Sequence, residues 1–238
     1  MKKSIITIVL CGWLGMLACS PGIAAGASGK CRGIADDAHK RLVEGRRLLD
    51  AGEPQRAITE CLQPVIDTFE KAHQGKERRF YSAQNQVQTI IYVALPVDKG
   101  HTVEVVSGDW ADAYLMKAYA LTELKKVSEA QAALEAAVRL SPLNSQYQSE
   151  LAYTYQVQKD CDKSIETYRQ AASVAELGSS EETKSEDLAR AWRGEGYCLV
   201  ERGKLDEAET LYRRCLATNP NDSKARGELQ YVEGLRKK

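Results

Sequence analysis

The sequence predicts an all-α chain of stacked helical hairpins, a helix-turn-helix solenoid with a short irregular insert near residues 75–109. Three observations predict this fold. One pattern of aromatic, small and apolar residues recurs at a spacing of 34 residues, small residues recur where two helices would cross, and proline closes two of the copies. Self-similarity at such a period is typical of hairpins that bury a shared core by stacking on their neighbours.

The clearest copy of the pattern covers residues 189–222. Trp192 and Gly196 lie one turn apart on the inward stripe of its first helix, and Ala208 begins the corresponding stripe of its second helix. Two antiparallel helices approach closely only where neither side chain intrudes, so we expect Gly196 and Ala208 at their crossing. Pro220 ends the second helix because proline cannot continue the hydrogen-bond ladder.

Two further copies keep the same register over residues 111–144 and 145–178. The residues at their crossing positions are Ala118, Ala130, Ala152 and Ser164. The remaining predicted divisions are a signal peptide over 1–27, a degenerate helical hairpin over 28–74, the insert over 75–110, an insertion over 179–188 and a capping helix over 223–238.

Three local features depart from the repeat. Within 75–109, the stretch AQNQVQTIIYVAL predicts a helix and HTVEVVSGDW alternates like a short extended segment. The extra residues around LGSSEETKSED either lengthen a helix or form a loop, and a capping box of Ser179 with Glu182 favours added helix. Pro64 predicts a kink in the second helix of the N-terminal hairpin.

The pattern from Ala111 to Asp222 resembles the tetratricopeptide repeat. This resemblance implies a right-handed superhelix whose concave groove is lined by the first helix of each hairpin. It also implies that the groove binds another protein or a peptide segment, rather than nucleic acid.

The inner face of the first helices supplies the candidate binding residues. Tyr119, Tyr153 and Tyr197 each follow the small residue of their helix, so they are expected to form a row along the groove. Tyrosine combines a flat apolar ring with a hydroxyl, which suits a surface that binds peptides. The alternative interpretation is that each ring packs sideways on the next hairpin and fills space.

Anion binding in the groove depends on two arginines. Family members that bind acidic C-terminal tails use a set of lysine, asparagine and arginine residues on this face. The matching positions here are Leu115, Tyr119, Ser149 and Tyr153, which cannot supply such a clamp. Only Arg190 and Arg193 could hold a carboxylate by bidentate contact, and the alternative is that both are solvated surface charges.

The N-terminal residues predict export. Lys2 and Lys3 precede an apolar run from Ile5 to Ala18, and small residues up to Ala27 form a cleavage site, as in a secretory signal peptide. The stretch MLACS also resembles a lipoprotein signal, in which Cys19 would be acylated. Both alternatives place the mature chain outside the cytoplasm.

Cysteine content is consistent with an oxidising compartment. Five cysteines follow the predicted signal: Cys31, Cys61, Cys161, Cys198 and Cys215. The odd number leaves at least one thiol unpaired or paired between chains, and the absence of a CxxC pair argues against a zinc site. We predict a disulfide between Cys31 and Cys61, while Cys198 and Cys215 suit equally well the role of small buried filler.

Charge and motif content favour a binding protein over an enzyme. The sequence holds 33 basic and 33 acidic residues, so no overall field favours nucleic acid. Its three histidines, His39, His73 and His101, form no metal-binding motif, and no hydrolase or phosphate-binding motif occurs. We therefore predict no catalytic activity, no cofactor and no bound metal.

Three functional hypotheses follow from these features. The first is an exported, periplasmic adaptor that holds a segment of a partner protein in the groove. The second is a lipid-anchored outer-membrane factor, acylated at Cys19, that assists assembly of secretion or pilus machinery and contacts the membrane through that anchor. The third is an exported hydrolase with its site in the insert.

Overall fold

Helical hairpins follow one another along the described part of the chain, which is residues 38–75, 78–95 and 102–237 of the computed structural model. The helices are α1 (Ala38–Asp50), α2 (Pro54–Arg56), α3 (Gln63–His73), α4 (Gln86–Ala94), α5 (Asp109–Glu123), α6 (Val127–Leu140), α7 (Ser145–Val157), α8 (Cys161–Gly178), α9 (Glu181–Glu201), α10 (Leu205–Thr218) and α11 (Ser223–Arg236). Two strands, β1 (Arg78–Ala83) and β2 (Thr102–Ser107), flank α4. The predicted all-α helical repeat fold is confirmed.

The same turn closes each hairpin of the repeat. Lys125, Lys159 and Gly203 all adopt positive φ, at 61°, 64° and 72°. The residue after each of them donates its backbone N–H to a carbonyl five residues earlier, at 2.8 to 2.9 Å. This is the left-handed helix end that satisfies carbonyls left over in the last turn. Its recurrence shows that the three hairpins are structurally equivalent.

Small residues lie at the helix crossings, as predicted. A β-carbon built on Gly196 would lie 2.7 Å from Cε1 of Tyr212, so the α9 backbone rests directly on that ring. Ala130 and Ala208 are fully buried at the equivalent crossings. Ser164 takes this position in the middle hairpin, where its hydroxyl donates to the carbonyl of Ala152 at 2.9 Å. The hydrogen bond satisfies the one polar group that the substitution buries.

Successive hairpins share buried side chains instead of forming separate globules. One core cluster runs from α1 to α7, an alanine-rich cluster joins α7, α8 and α9, and another joins α9, α10 and α11. The first helices also contact each other directly, α7 with α9 and α9 with α11. Their outward faces therefore lie side by side on one surface.

The extra residues between the second and third repeats form helix, which confirms that expectation. They extend α8 to Gly178 and start α9 at Glu181. The predicted capping box is wrong, because α9 begins after Ser180 and that side chain makes no capping hydrogen bond. The Ser179 hydroxyl instead donates to Asp187 at 2.7 Å, a residue two turns into α9.

The insert is regular, so the prediction of an irregular segment is wrong. β1 and β2 pair in parallel with α4 between them, a β-α-β unit. The predicted helix is present as α4, and the predicted extended segment is present as β2. Strand β1 was not predicted, because its sequence RRFYSA shows no clear alternation. Asn85 and Gln88 donate to the carbonyl of Gly178 at 3.0 and 3.3 Å, so this unit packs against the end of α8.

A π-helical segment takes the place of the predicted kink in the N-terminal hairpin. Residues Ala57–Leu62 form this segment between α2 and α3, and Pro64 lies in the first turn of α3. Proline lacks the N–H that a helix interior needs, and the wider turn precedes it without ending the helical run. Gly45 of α1 packs against Leu62, as the repeat pattern requires of a crossing position.

The cysteines divide into bonded and free ones. Cys61 is buried and disulfide-bonded. Cys31 lies outside the described residues, so its pairing with Cys61 stays a prediction. Cys161, Cys198 and Cys215 are free, and the last two are buried. Burial raises the pKa of the Cys198 and Cys215 thiols to about 12.

We expect Gly196→Ala to lower the free energy of unfolding by up to about 2 kcal/mol. Overpacking against the buried Tyr212 ring costs about 1–3 kcal/mol, and the better helix propensity of alanine offsets ~1 kcal/mol. Gly227→Ala in α11 is the matched control, because its new β-carbon meets nothing within 4 Å. That variant should gain about 0.5–1 kcal/mol. Urea unfolding measures both, and equal shifts would contradict the crossing at Gly196.

Alkylation of the native protein at pH 8 should discriminate between the free cysteines. Half-exposed Cys161 is expected to react at least about tenfold faster than Cys198 and Cys215, whose raised pKa and burial keep thiolate scarce. The rates, followed by peptide mass mapping, should converge in denaturant. Equal labelling of all three in the native state would show that α9 and α10 do not bury them.

Candidate partner-binding groove

The candidate groove is the face formed by α5, α7, α9 and α11, and Tyr119 on α5 is partly buried. Tyr119 packs against the core cluster that runs from α1 to α7. Its hydroxyl accepts a hydrogen bond from Gln146 at 3.4 Å and lies near the Glu150 carboxylate. Burial, and then the negative charge of Glu150, raise the pKa of this tyrosine. The packing of this ring and its hydrogen bond within the chain favour the space-filling interpretation at this position.

Tyr153 and Tyr197 are more open. The Tyr153 side chain on α7 is 37% exposed, and Val157, one turn further along, is 49% exposed. Tyr197 on α9 is half-buried, and burial followed by the charge of Glu201 raises its pKa. These two helices contact each other, so their open side chains belong to one surface.

A fourth tyrosine, not predicted from the sequence, extends the row. Tyr231 on α11 follows Tyr197 by the repeat spacing of 34 residues and is 55% exposed. α11 contacts α9, and its buried side Ala225, Leu229 and Val232 faces the preceding helices. The spacing was available as a signal. It was hidden because Gln230 replaces the small residue that precedes the other three tyrosines.

Buried side chains fill the part of the groove nearest the N-terminus. Leu115 and Ser149, both predicted to line it, are only 4% and 2% exposed. The Ser149 hydroxyl has no hydrogen-bond partner among the described residues. Glu150 is partly buried, and burial raises the pKa of its carboxyl while Tyr119 and Arg190 act in the opposite direction. The open surface is therefore the end of α7 together with α9 and α11.

The two candidate arginines are occupied within the chain. Arg190 donates to Asp187 at 2.8 Å, three residues earlier on α9. Arg193 pairs with Asp222 and also with Glu186, the latter at 3.2 Å. Asp222 in turn caps α11 by accepting from Ala225 N at 3.0 Å. Arg193 thus connects α9 to the start of α11. Both guanidinium groups are already paired with carboxylates of the chain, so neither is free to bind the carboxylate of a partner.

The histidines form no catalytic arrangement in the described part of the chain. His39 is exposed and lies 3.4 Å from Asp109, while His73 stacks with Trp110 and packs at a tilt against Phe80. His101 lies outside the described residues. Over 38–75, 78–95 and 102–237, no group of three or more His, Cys, Asp or Glu side chains could hold a metal ion. Within the same ranges, every helix is too short or too polar to cross a bilayer.

Comparison with known families agrees with the geometry. Tetratricopeptide repeat models match residues 111–142 and 143–220. The chain therefore contains tetratricopeptide repeats over these residues. Proteins of this family are typically scaffolds for protein–protein interaction and not enzymes. No curated protein sequence matches the chain.

Solved structures share the architecture at low sequence identity. PilF of Pseudomonas aeruginosa is 12% identical with a TM-score of 0.57, and the match covers 89% of this chain and 72% of that one. MamA from Desulfovibrio magneticus RS-1, from residue 41 to the end, is 11% identical with a TM-score of 0.54, over 86% and 88% of the two chains. Another MamA structure is 17% identical with a TM-score of 0.52, over 83% and 87%. These similarities establish the helical repeat fold alone.

Arg193→Gln is expected to lower the free energy of unfolding by roughly 2–4 kcal/mol, because it leaves the buried Asp222 carboxylate without its cation. Arg213→Gln serves as the control. Its ion pair with Glu209 stays within one helix, and Glu209 keeps Arg236 as a second partner, so the change should remain within about 0.5 kcal/mol. Urea denaturation compares the two, and similar small losses would show that Arg193 is not the joint between α9 and α11.

Proposed function

We propose that this protein is an exported adaptor that binds a segment of a partner protein on the open half of its groove. The observation that carries the proposal is the run of exposed Tyr153, Val157 and Tyr231 along one face, with Tyr197 half-exposed between them. A repeat fold buries most of its large apolar side chains between hairpins. Such side chains left at the surface along a single groove mark an interaction site.

Tyrosine suits this role for energetic reasons. Its ring offers a large contact area with few rotatable bonds, so ordering it on binding costs little entropy, and its hydroxyl can serve a peptide backbone. The small residues at the helix crossings keep the tyrosine-bearing helices close together. A partner segment could therefore contact several rings at once, as a helix or as an extended strand.

Export belongs to the proposal and rests on the N-terminal sequence. The charged start, apolar run and small-residue site up to Ala27 support cleavage, with a mature chain that begins at Ser28. The alternative is a lipid-anchored outer-membrane assembly factor, supported by the MLACS stretch and its Cys19. Mass spectrometry of the mature N-terminus distinguishes them, since only the second predicts an acylated Cys19.

Absence of catalysis is also part of the proposal. The family is typically a scaffold, and Arg190, Arg193 and Tyr119 are engaged in hydrogen bonds and ion pairs within the chain. The groove therefore offers aromatic contact area in place of a nucleophile and a base.

Changing Tyr153, Tyr197 and Tyr231 together to serine should reduce recovery of the partner at least tenfold. Loss of a central tyrosine contact typically costs more than about 1 kcal/mol. The measurement is quantitative pull-down with the tagged full chain from its own cells. Ile90→Ser is the matched control, because Ile90 is an exposed apolar residue on α4 of the insert, outside the groove.

Two readouts make this experiment decisive. Circular dichroism should show equal helix content for both variants, so that a folding defect is recognised. Undiminished recovery by the triple variant, or equal loss with Ile90→Ser, would overturn the groove as the binding site.

A further inference from the structure

The open half of the groove contains carboxylates that lack a cation. Among the described residues, Glu201 and Glu228 form no ion pair, whereas Arg190 and Arg193 are both neutralised by carboxylates of the same chain. These two carboxylates are therefore available to a cation from a partner. This is the opposite of the anion-binding groove that the two arginines suggested.

Both glutamates lie on the tyrosine row. Glu201 follows Tyr197 by one turn of α9, and Glu228 precedes Tyr231 by nearly one turn of α11, so each carboxylate shares a helix face with its tyrosine. Glu228 also lies close enough to α9 and α10 that its charge raises the pKa of Tyr197 and of Tyr212. The carboxylates and the rings therefore form one continuous surface.

Leaving Glu228 without a cation costs more free energy than leaving the exposed Glu201 without one. Its side chain is half-buried, and burial raises the pKa of its carboxyl, with no neighbouring cation acting in the opposite direction. A carboxylate that is partly removed from water and has no partner is destabilising until a cation approaches it. A ligand that brings such a cation offsets this cost on binding.

The aromatic rings favour the same kind of ligand. The face of a tyrosine ring attracts ammonium and guanidinium groups, and the attraction grows when the contact is partly desolvated. Lysine and arginine also carry apolar stems, which can lie along rings and along Val157 while the charged head reaches a carboxylate. Rings flanked by unpaired carboxylates therefore suit a cationic side chain better than an anionic or a purely apolar one.

We propose that the segment bound in the groove is basic, with lysine or arginine side chains that pair with Glu201 and Glu228 and apolar residues that pack on Tyr153, Tyr197 and Tyr231. This inference rests on the proposed function, since it names the chemistry of the partner for the same groove. It predicts that binding weakens as salt rises, because the ion pairs lie at the rim of an open surface.

Selection of random 12-residue peptides displayed on phage, with the full chain immobilised, tests the inference. Enriched peptides should be richer in lysine and arginine than the input library. Their affinity, measured by fluorescence anisotropy, should fall at least tenfold in the double variant Glu201→Gln, Glu228→Gln. It should also fall several-fold between low and high salt.

A control variant of equal charge separates local pairing from the overall field. Glu166→Gln with Glu233→Gln removes the same two charges from exposed positions, on α8 and on the side of α11 opposite Tyr231. Its effect should stay below twofold. An equal loss in both double variants, or enrichment of acidic or uncharged peptides, would overturn the basic-segment inference.

The triple tyrosine variant distinguishes failure of this inference from failure of the proposed function. Selected peptides that lose affinity for the tyrosine variant, but not for the Glu201→Gln, Glu228→Gln variant, would leave the groove as the site and remove its charge preference. A selection that yields no peptide dependent on the tyrosines would overturn the proposed function itself.

Discussion

Close packing of neighbouring helices at small residues is the constraint on which the rest of the structure depends. The Tyr212 ring lies directly on the backbone at Gly196, and Ala130 and Ser164 allow the same approach in the other hairpins. This contact fixes how each first helix is rotated. Because the rotation is fixed, the ninth residue of each repeat, which is the tyrosine position, lies on the same side of the stack.

The equivalent tyrosines nevertheless differ, because each helix has different neighbours. α5 is packed against α1 and α3 of the N-terminal hairpin, and Leu115 joins their core cluster, so the first part of the inner face is filled. Tyr119 is held there by Gln146 and Glu150. α11 is the last described helix, and Tyr231 stays open to solvent. The repeat thus places the tyrosines at equivalent positions, and the different neighbours at its two ends give them different exposure.

Several polar residues that resemble ligand contacts instead connect one part of the chain to another. Arg193 connects α9 with the cap of α11 through Asp222. The Tyr147 hydroxyl donates to Asp112 at 2.7 Å and accepts from Gln84 of the insert at 2.5 Å, linking the β-α-β unit to two repeats. Satisfying buried donors and acceptors in this way is what lets the insert pack on a helical solenoid. It also makes the exposed tyrosines and two glutamates, and not the arginines, the candidate binding groups of the proposed function.

The sequence by itself determined the helical repeats, their period and the crossing residues Gly196 and Ala208, because spacing along a helix is a local property of the chain. Tertiary structure alone decided which tyrosines are exposed, that Arg193 forms an ion pair with Asp222, and that RRFYSA becomes a strand. Each of those outcomes depends on a partner more than twenty residues away, so burial and charge pairing could not be predicted from local pattern. The missed Tyr231 is the exception, since its spacing was visible in the sequence.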